Sequence, residues 1–183
     1  MSMGNNSHPG LSSVPIPKFD LEVDGQPFGR IVFRLHDDVV PRTAQNFRDL
    51  ALGHLGYGYQ GSPIHRIVPD FMIQGGDITK KDGTGGRSIY GPTFRDESFR
   101  VRHSKPGVLS MANRGPNSNT SQYFITTCAA PWLDGRNVAF GEVESGLDVV
   151  KAIQKKYASD DILRRPSAKI VISKSGLLPP SHH

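Results

Sequence analysis

The chain has 183 residues, enough for one domain with a sizeable core, and its 36% hydrophobic content is diluted by 20 glycines and 14 prolines. Such punctuation disfavours long helices, favours short strands joined by turns, and leaves no apolar run near the ~20 residues of a membrane span. The net charge of +5 comes from scattered basic residues, so it reads as solubility rather than nucleic-acid or membrane binding.

Residues 1–14 are polar and rich in Gly, Asn, Ser and Pro, the composition of a flexible arm. A domain is expected over 15–176 and a tail over 177–183. Phe19, Leu21 and Val23 alternate with Lys18, Asp20 and Glu22, which is strand periodicity. D-G-Q-P at 24–27 reads as a turn into a second strand, Phe28 to Leu35, giving an antiparallel hairpin. Pro41 opens a helix with Ala44, Phe47, Leu50 and Ala51 on one face and Gly53 as its C-terminal cap. Short apolar bursts follow at Ile64–Val68, Phe71–Ile73, Val108–Met111, Tyr123–Thr126 and Val138–Val143. A second helix is predicted over Gly146–Lys156, and a last strand over Ala168–Lys174. Many short strands and two helices favour a mainly antiparallel barrel or sandwich.

Several familiar chemistries are excluded or weakened. G-T-G-G at 83–86 leads to Arg87-Ser88-Ile89-Tyr90 and lacks the Gly-Lys-Ser/Thr of a phosphate loop, so a surface loop is the better reading. His36, His54, His65 and His103 are too far apart for metal-ligand spacing. The single cysteine, Cys128, permits neither an internal disulfide nor a cysteine zinc cluster, and no neighbouring base is evident to activate it; burial as a small hydrophobe is expected. The N-terminus M-S-M-G-N-N-S-H-P-G has no basic cluster or apolar run, so no secretory signal is expected. A cytoplasmic location follows as an expectation, and a nuclear one is equally compatible.

Three segments remain that together carry chemistry: H-R-I-V-P-D-F-M-I-Q-G-G-D at 65–77, M-A-N-R-G-P-N-S-N-T-S-Q-Y-F at 111–124, and W-L-D-G-R-N at 132–137. With D-G-T-G-G at 82–86, S-I-Y-G at 88–91 and V-A-F-G-E-V at 138–143, they make the chain resemble a cyclophilin from about Ile16 to Gly176. The resemblance implies a mainly β fold, a closed eight-stranded antiparallel β-barrel capped by two α-helices. It also implies a peptidyl-prolyl cis–trans isomerase that assists folding and needs no metal or cofactor. By the same resemblance Arg66 is the catalytic cation, Gln74 orients it, and Phe71 belongs with them. Phe71, Met72, Phe124 and Leu133 match the pocket for the proline ring. Asn113 pairs through its backbone with substrate, Ala112, Gln122 and Gly83 line the adjoining groove, and His65 supports the arginine. Trp132 matches the indole that binds cyclosporin A. Two positions depart from the family pattern: Asn137 stands where many cyclophilins carry histidine, and Arg114 replaces a small alanine.

The partners so implied are proline-containing peptides, unfolded or partner proteins, and cyclosporin A, with the chain acting as a monomer. The competing reading is a proline-peptide binding module or chaperone with incidental isomerisation. RNA binding is a weaker third.

Overall fold

The computed structural model describes residues 14–180, so most of the expected N-terminal arm and the last three residues of the tail lie outside the described residues. Strands β1 (Ile16–Val23) and β2 (Gln26–Leu35) form the expected hairpin. Its turn places Asp24 at φ 50° and Gly25 at φ 82°, the two left-handed residues that match the right-handed twist of flanking strands. Helix α1 (Pro41–Leu52) follows and ends at Gly53, whose φ of 74° and N–H bond to the Asp49 carbonyl close the last turn.

Strands β3 (Ile64–Val68), β4 (Met72–Gly75), β5 (Val108–Met111), β6 (Tyr123–Thr126) and β7 (Ala139–Ser145) come next, then helix α2 (Leu147–Tyr157) and β8 (Ile170–Leu178). A single turn of 3-10 helix, Pro131–Leu133, precedes β7. The last strand runs beyond the expected Lys174, because Leu177 and Leu178 pair with Pro17 and Ile16 of β1. β4 likewise extends to Gly75, which pairs with Ile64.

All eight strands form one antiparallel sheet in the order β3-β4-β6-β5-β7-β2-β1-β8. The sheet curls until its ends meet. Pro63, just before β3, bridges Val171 of β8, with Gly61 N–H to Ile172 O at 2.7 Å and Ile172 N–H to Ser62 O at 2.9 Å. The result is a nearly closed barrel with two helices, the architecture the resemblance implied, where the strand pattern alone had left barrel or sandwich open.

Its interior is solid. Phe19, Phe33, Phe47, Tyr59, Tyr123 and Phe140 are fully buried, and their rings pack with centroids 5.0–5.7 Å apart, mostly edge-on or tilted. A row of inward side chains, Ile67, Ile73, Ile125 and Leu109, lies directly across β3, β4, β6 and β5. With the inside filled, a ligand must bind on the outer surface.

Helix α1 closes the barrel while gripping its loops. Asn46 is buried, donates to the Thr120 carbonyl at 3.0 Å and accepts from Ile89 N–H at 3.0 Å. The helix N-terminus has no local side-chain cap. Instead Glu97 accepts from Arg42 N–H at 3.0 Å and from Thr43 N–H and Oγ1 at 2.8 Å, placing a carboxylate on the positive end of the helix. Replacing Glu97 by alanine is expected to cost about 1–2 kcal/mol of stability, read as a lower urea midpoint with an unchanged denaturant slope.

Candidate active site

The strand register that buries Ile67, Ile73 and Ile125 sends their neighbours outward. Arg66 of β3 lies opposite Gln74 of β4, which lies opposite Phe124 of β6, which lies opposite Ser110 of β5. A second outward row carries Val68, Met72 and Thr126. The alternation in F-M-I-Q is thus explained by the pleat: Met72 and Gln74 face out while Ile73 enters the core.

Between these rows and the two crossing loops lies a hollow of about 230 Å³, lined by Arg66, Phe71, Met72, Gln74, Ala112, Asn113, Phe124, Leu133 and Asn137. Met72 and Phe124 form its buried apolar floor. Arg66 sits exposed at its rim, with Nη1 donating to Gln74 Oε1 at 3.0 Å. Gln74 Nε2 in turn donates to Gln122 Oε1 at 3.0 Å, and Gln122 Nε2 donates to the Gly83 and Gly85 carbonyls at 2.9 and 2.8 Å. Partial burial and the like charge of Arg164 hold the Arg66 guanidinium below the usual arginine value, yet a guanidinium stays charged at neutral pH.

A second, larger groove of about 750 Å³ shares Arg66, Gln74, Ala112 and Asn113 with the first, so the two are continuous. It is also lined by His65, Gly83, Arg114 and Gln122. One wall is the 78–86 loop, whose organiser is Asp77. This fully buried carboxylate accepts from the N–H groups of Thr79, Lys80, Asp82, Gly83 and Gly85 at 2.8–3.2 Å. Burial alone would raise its pKa; the backbone donors, those of Lys80, Gly85 and Gly83 foremost, outweigh it and hold the carboxyl well below the usual range. Gly83, at φ 97°, leaves no room for a Cβ, which would stand 2.8 Å from the His65 ring.

The opposite wall is the 111–118 segment. The Asn113 side chain is tied within this wall, donating to the Arg136 carbonyl at 2.9 Å and accepting from Gly115 N–H at 3.2 Å. Its backbone N–H and carbonyl have no partner among the described residues, which leaves them free for an extended peptide. Arg114 reaches across the groove and donates Nη2 to the Thr84 carbonyl at 2.6 Å and the Gly83 carbonyl at 3.3 Å. Asn137 donates to the Met111 carbonyl at 2.9 Å, so this departure from histidine braces the pocket wall.

Residues 18–177 match the protein-family model described as cyclophilin type peptidyl-prolyl cis-trans isomerase/CLD. The chain belongs to that family. The cyclophilin resemblance and the geometry therefore agree over nearly the whole barrel.

Not every expected residue lines the hollows. Trp132, 57% exposed, lines neither; its ring packs on Phe71 at 5.6 Å, beside the pocket. Cys128 is only half-buried rather than a core hydrophobe, with Sγ 4.0 Å from the Phe71 carbonyl. Burial and the nearby Asp70 charge push its thiol pKa up, against nucleophilic use.

Sequence reasoning passed over Ile162, Leu163, Arg164 and Arg165, which also line the larger groove. Their signal was an apolar pair between Asp161 and two arginines in a turn ending at Pro166. Fully buried His103, set aside above as a metal ligand, is held by Asp134 Oδ1 at Nδ1 (2.8 Å) and Ser110 Oγ at Nε2 (2.8 Å), partners the sequence did not signal, with its ring stacked 6.0 Å from Phe124. These three groups have the residue types of a hydrolytic triad, but Ser110 is fully buried and no acyl group reaches it. They brace the pocket floor against the 131–137 turn.

His65 has its Nδ1 buried without a hydrogen-bond partner. Burial holds its pKa below the ordinary histidine value; Arg66 acts in the same direction, while Asp77 and Asp82 oppose it. The neutral ring therefore contributes stability that is complete above ~6.5, the unfolded value, and is lost as pH falls below it. The wild-type urea midpoint is expected to fall between neutral pH and about pH 5, and to fall less in His65→Gln.

Proposed function

We propose that the chain is an active peptidyl-prolyl cis–trans isomerase whose apolar hollow holds the proline ring while Arg66 stabilises the rotating amide. The observation that carries this reading is a permanent cation, fixed by Gln74, on the rim of a ring-sized apolar pocket.

The X-Pro bond resists rotation by ~20 kcal/mol because the nitrogen lone pair is shared with the carbonyl. Halfway through rotation that sharing is lost and the nitrogen regains its lone pair. A guanidinium on the rim can donate to that nitrogen, an interaction stronger in the twisted form than in either planar one. Only such differential binding lowers the barrier. Phe71, Met72, Phe124 and Leu133 hold the ring, and the free backbone of Asn113 holds the adjoining chain, so rotation is confined to one side of the amide. No bond is cut, so the chemistry asks for neither nucleophile nor cofactor.

The substrates so proposed are proline-containing segments of folding or partner proteins, met by a monomer in a reducing, cytoplasmic setting that suits the lone cysteine. Cyclosporin A is proposed to bind the same surface, with the exposed Trp132 indole N–H as a donor.

Exchange spectroscopy on an Ala-Pro peptide separates catalysis from a binding module: accelerated exchange supports the isomerase, and binding without acceleration supports the module. Arg66→Ala is expected to lose about a hundred- to thousand-fold in kcat/KM with its urea midpoint preserved; an unimpaired rate would reject the role given to Arg66. Cyclosporin A is expected to abolish the acceleration, and Trp132→Ala to weaken that inhibition by about ten-fold or more while the peptide rate persists.

A further inference from the structure

The larger groove has a wall that the rotation chemistry leaves unused. Between α2 and β8 the stretch S-D-D-I-L-R-R-P, 159–166, folds into a turn pinned from within. Arg165 donates Nε to Asp161 Oδ2 at 2.9 Å and Nη2 to Asp161 Oδ1 at 2.7 Å, while Leu163 N–H reaches the same carboxylate at 2.9 Å. Arg165's hydrogen bonds hold the Asp161 carboxyl well below its usual range, so the pair persists as ions. The turn is moored beside the catalytic cation: Ile67 N–H donates to the Arg164 carbonyl at 2.9 Å.

This architecture neutralises one arginine and leaves the other available. Arg164 has no carboxylate partner among the described residues, and its guanidinium makes only a long contact of 3.4 Å with the Ser159 carbonyl. Beside it, Ile162 is 93% exposed and Leu163 63%, an adjacent apolar pair set against the groove. The charges facing that groove are unbalanced. Arg66, Arg114 and Arg164 line it with the ion-paired Arg165 and neutral His65, whereas its one lining carboxylate, Asp82, is taken by Thr84 N–H and Oγ1 at 2.9 and 2.6 Å. Arg114 is already engaged with two carbonyls, and Arg66 with Gln74. The guanidinium groups of Arg66 and Arg164 each make one hydrogen bond, but that of Arg164 is the longer, and Arg66 is already given to the amide; Arg164 is the cation left over for a flanking charge.

We propose that the 161–165 turn is a specificity lip, at which Arg164 selects proline peptides bearing a carboxylate side chain on the flank that passes it, with Ile162 and Leu163 covering an adjacent apolar residue. The proposal rests on the isomerase reading and deepens it by naming the substrate class. Charge complementarity of this kind at an exposed site is modest and is weakened by salt.

The test uses peptide pairs that differ only by Glu against Gln at each position flanking the proline, measured by exchange spectroscopy with the full chain. At one flanking position Glu is expected to raise kcat/KM by about two- to five-fold at low salt, an advantage that shrinks at high salt. Arg164→Asn, which suits the left-handed backbone at φ 57°, is expected to bring the ratio close to unity, and Arg164→Lys to restore most of it. Equal Glu and Gln rates in the unmodified protein, a ratio indifferent to salt, or an advantage that survives Arg164→Asn would each overturn the proposal. Should the protein accelerate no peptide, the isomerase reading fails by itself. The Glu/Gln affinity ratio, titrated with and without Arg164→Asn, then still decides the lip.

Discussion

The antiparallel register across β3, β4, β6 and β5 is the constraint on which the site depends. It places Arg66, Gln74 and Phe124 in one outward row and Ile67, Ile73 and Ile125 in one inward row. A slip by a single residue would send the arginine into the aromatic core and isoleucine into the pocket. The cost of burying an unpaired guanidinium beside Phe19 and Tyr59 makes that alternative inaccessible, so the same packing that stabilises the barrel also fixes the site.

A chain of amides then converts backbone order into aim. Gln74 accepts from Arg66 and donates to Gln122, which donates to the Gly83 and Gly85 carbonyls. Those carbonyls are held in place because Asp77 gathers the N–H groups on the same loop. The buried carboxylate thus acts on Arg66 through three intermediaries, the glycine loop, Gln122 and Gln74, without touching it. Rigid placement matters because a donor already held in position spends nothing on reorganisation when its partner arrives.

Much of this was legible in the residues, and the reasons differ from place to place. Alternation gave the β1–β2 hairpin, and the Pro41 and Gly53 signals gave α1 nearly to the residue, because these depend on neighbours in the chain. The family resemblance supplied Arg66, Gln74 and Phe124 as a group, which no spacing rule would have joined. What escaped were contacts between distant segments: the Glu97 cap on α1, the Asp77 gathering of its loop, and the brace formed by His103. Each is a polar side chain whose partner is chosen only after the chain has folded. The end of β8 was misjudged for a related reason, since Leu177 and Leu178 are ordered by pairing with β1 rather than by their own alternation. Trp132, which the resemblance assigned to cyclosporin A, stands at the shoulder of the pocket against Phe71, a contact that no alternation in the sequence signals.

The barrel closes where β3 meets β8, and that seam is thin: one bridge at Pro63, whose ring nitrogen carries no hydrogen, and two flanking bonds to Ile172. The strand beside it is the one that bears Arg66. Breathing of the barrel is therefore expected to begin beside Arg66, so that the hollow at its rim loosens on warming before the barrel melts. Amide hydrogens of Ile172 and Gly61 would report that early parting, exchanging with solvent ahead of those in β5 and β7 on the far side.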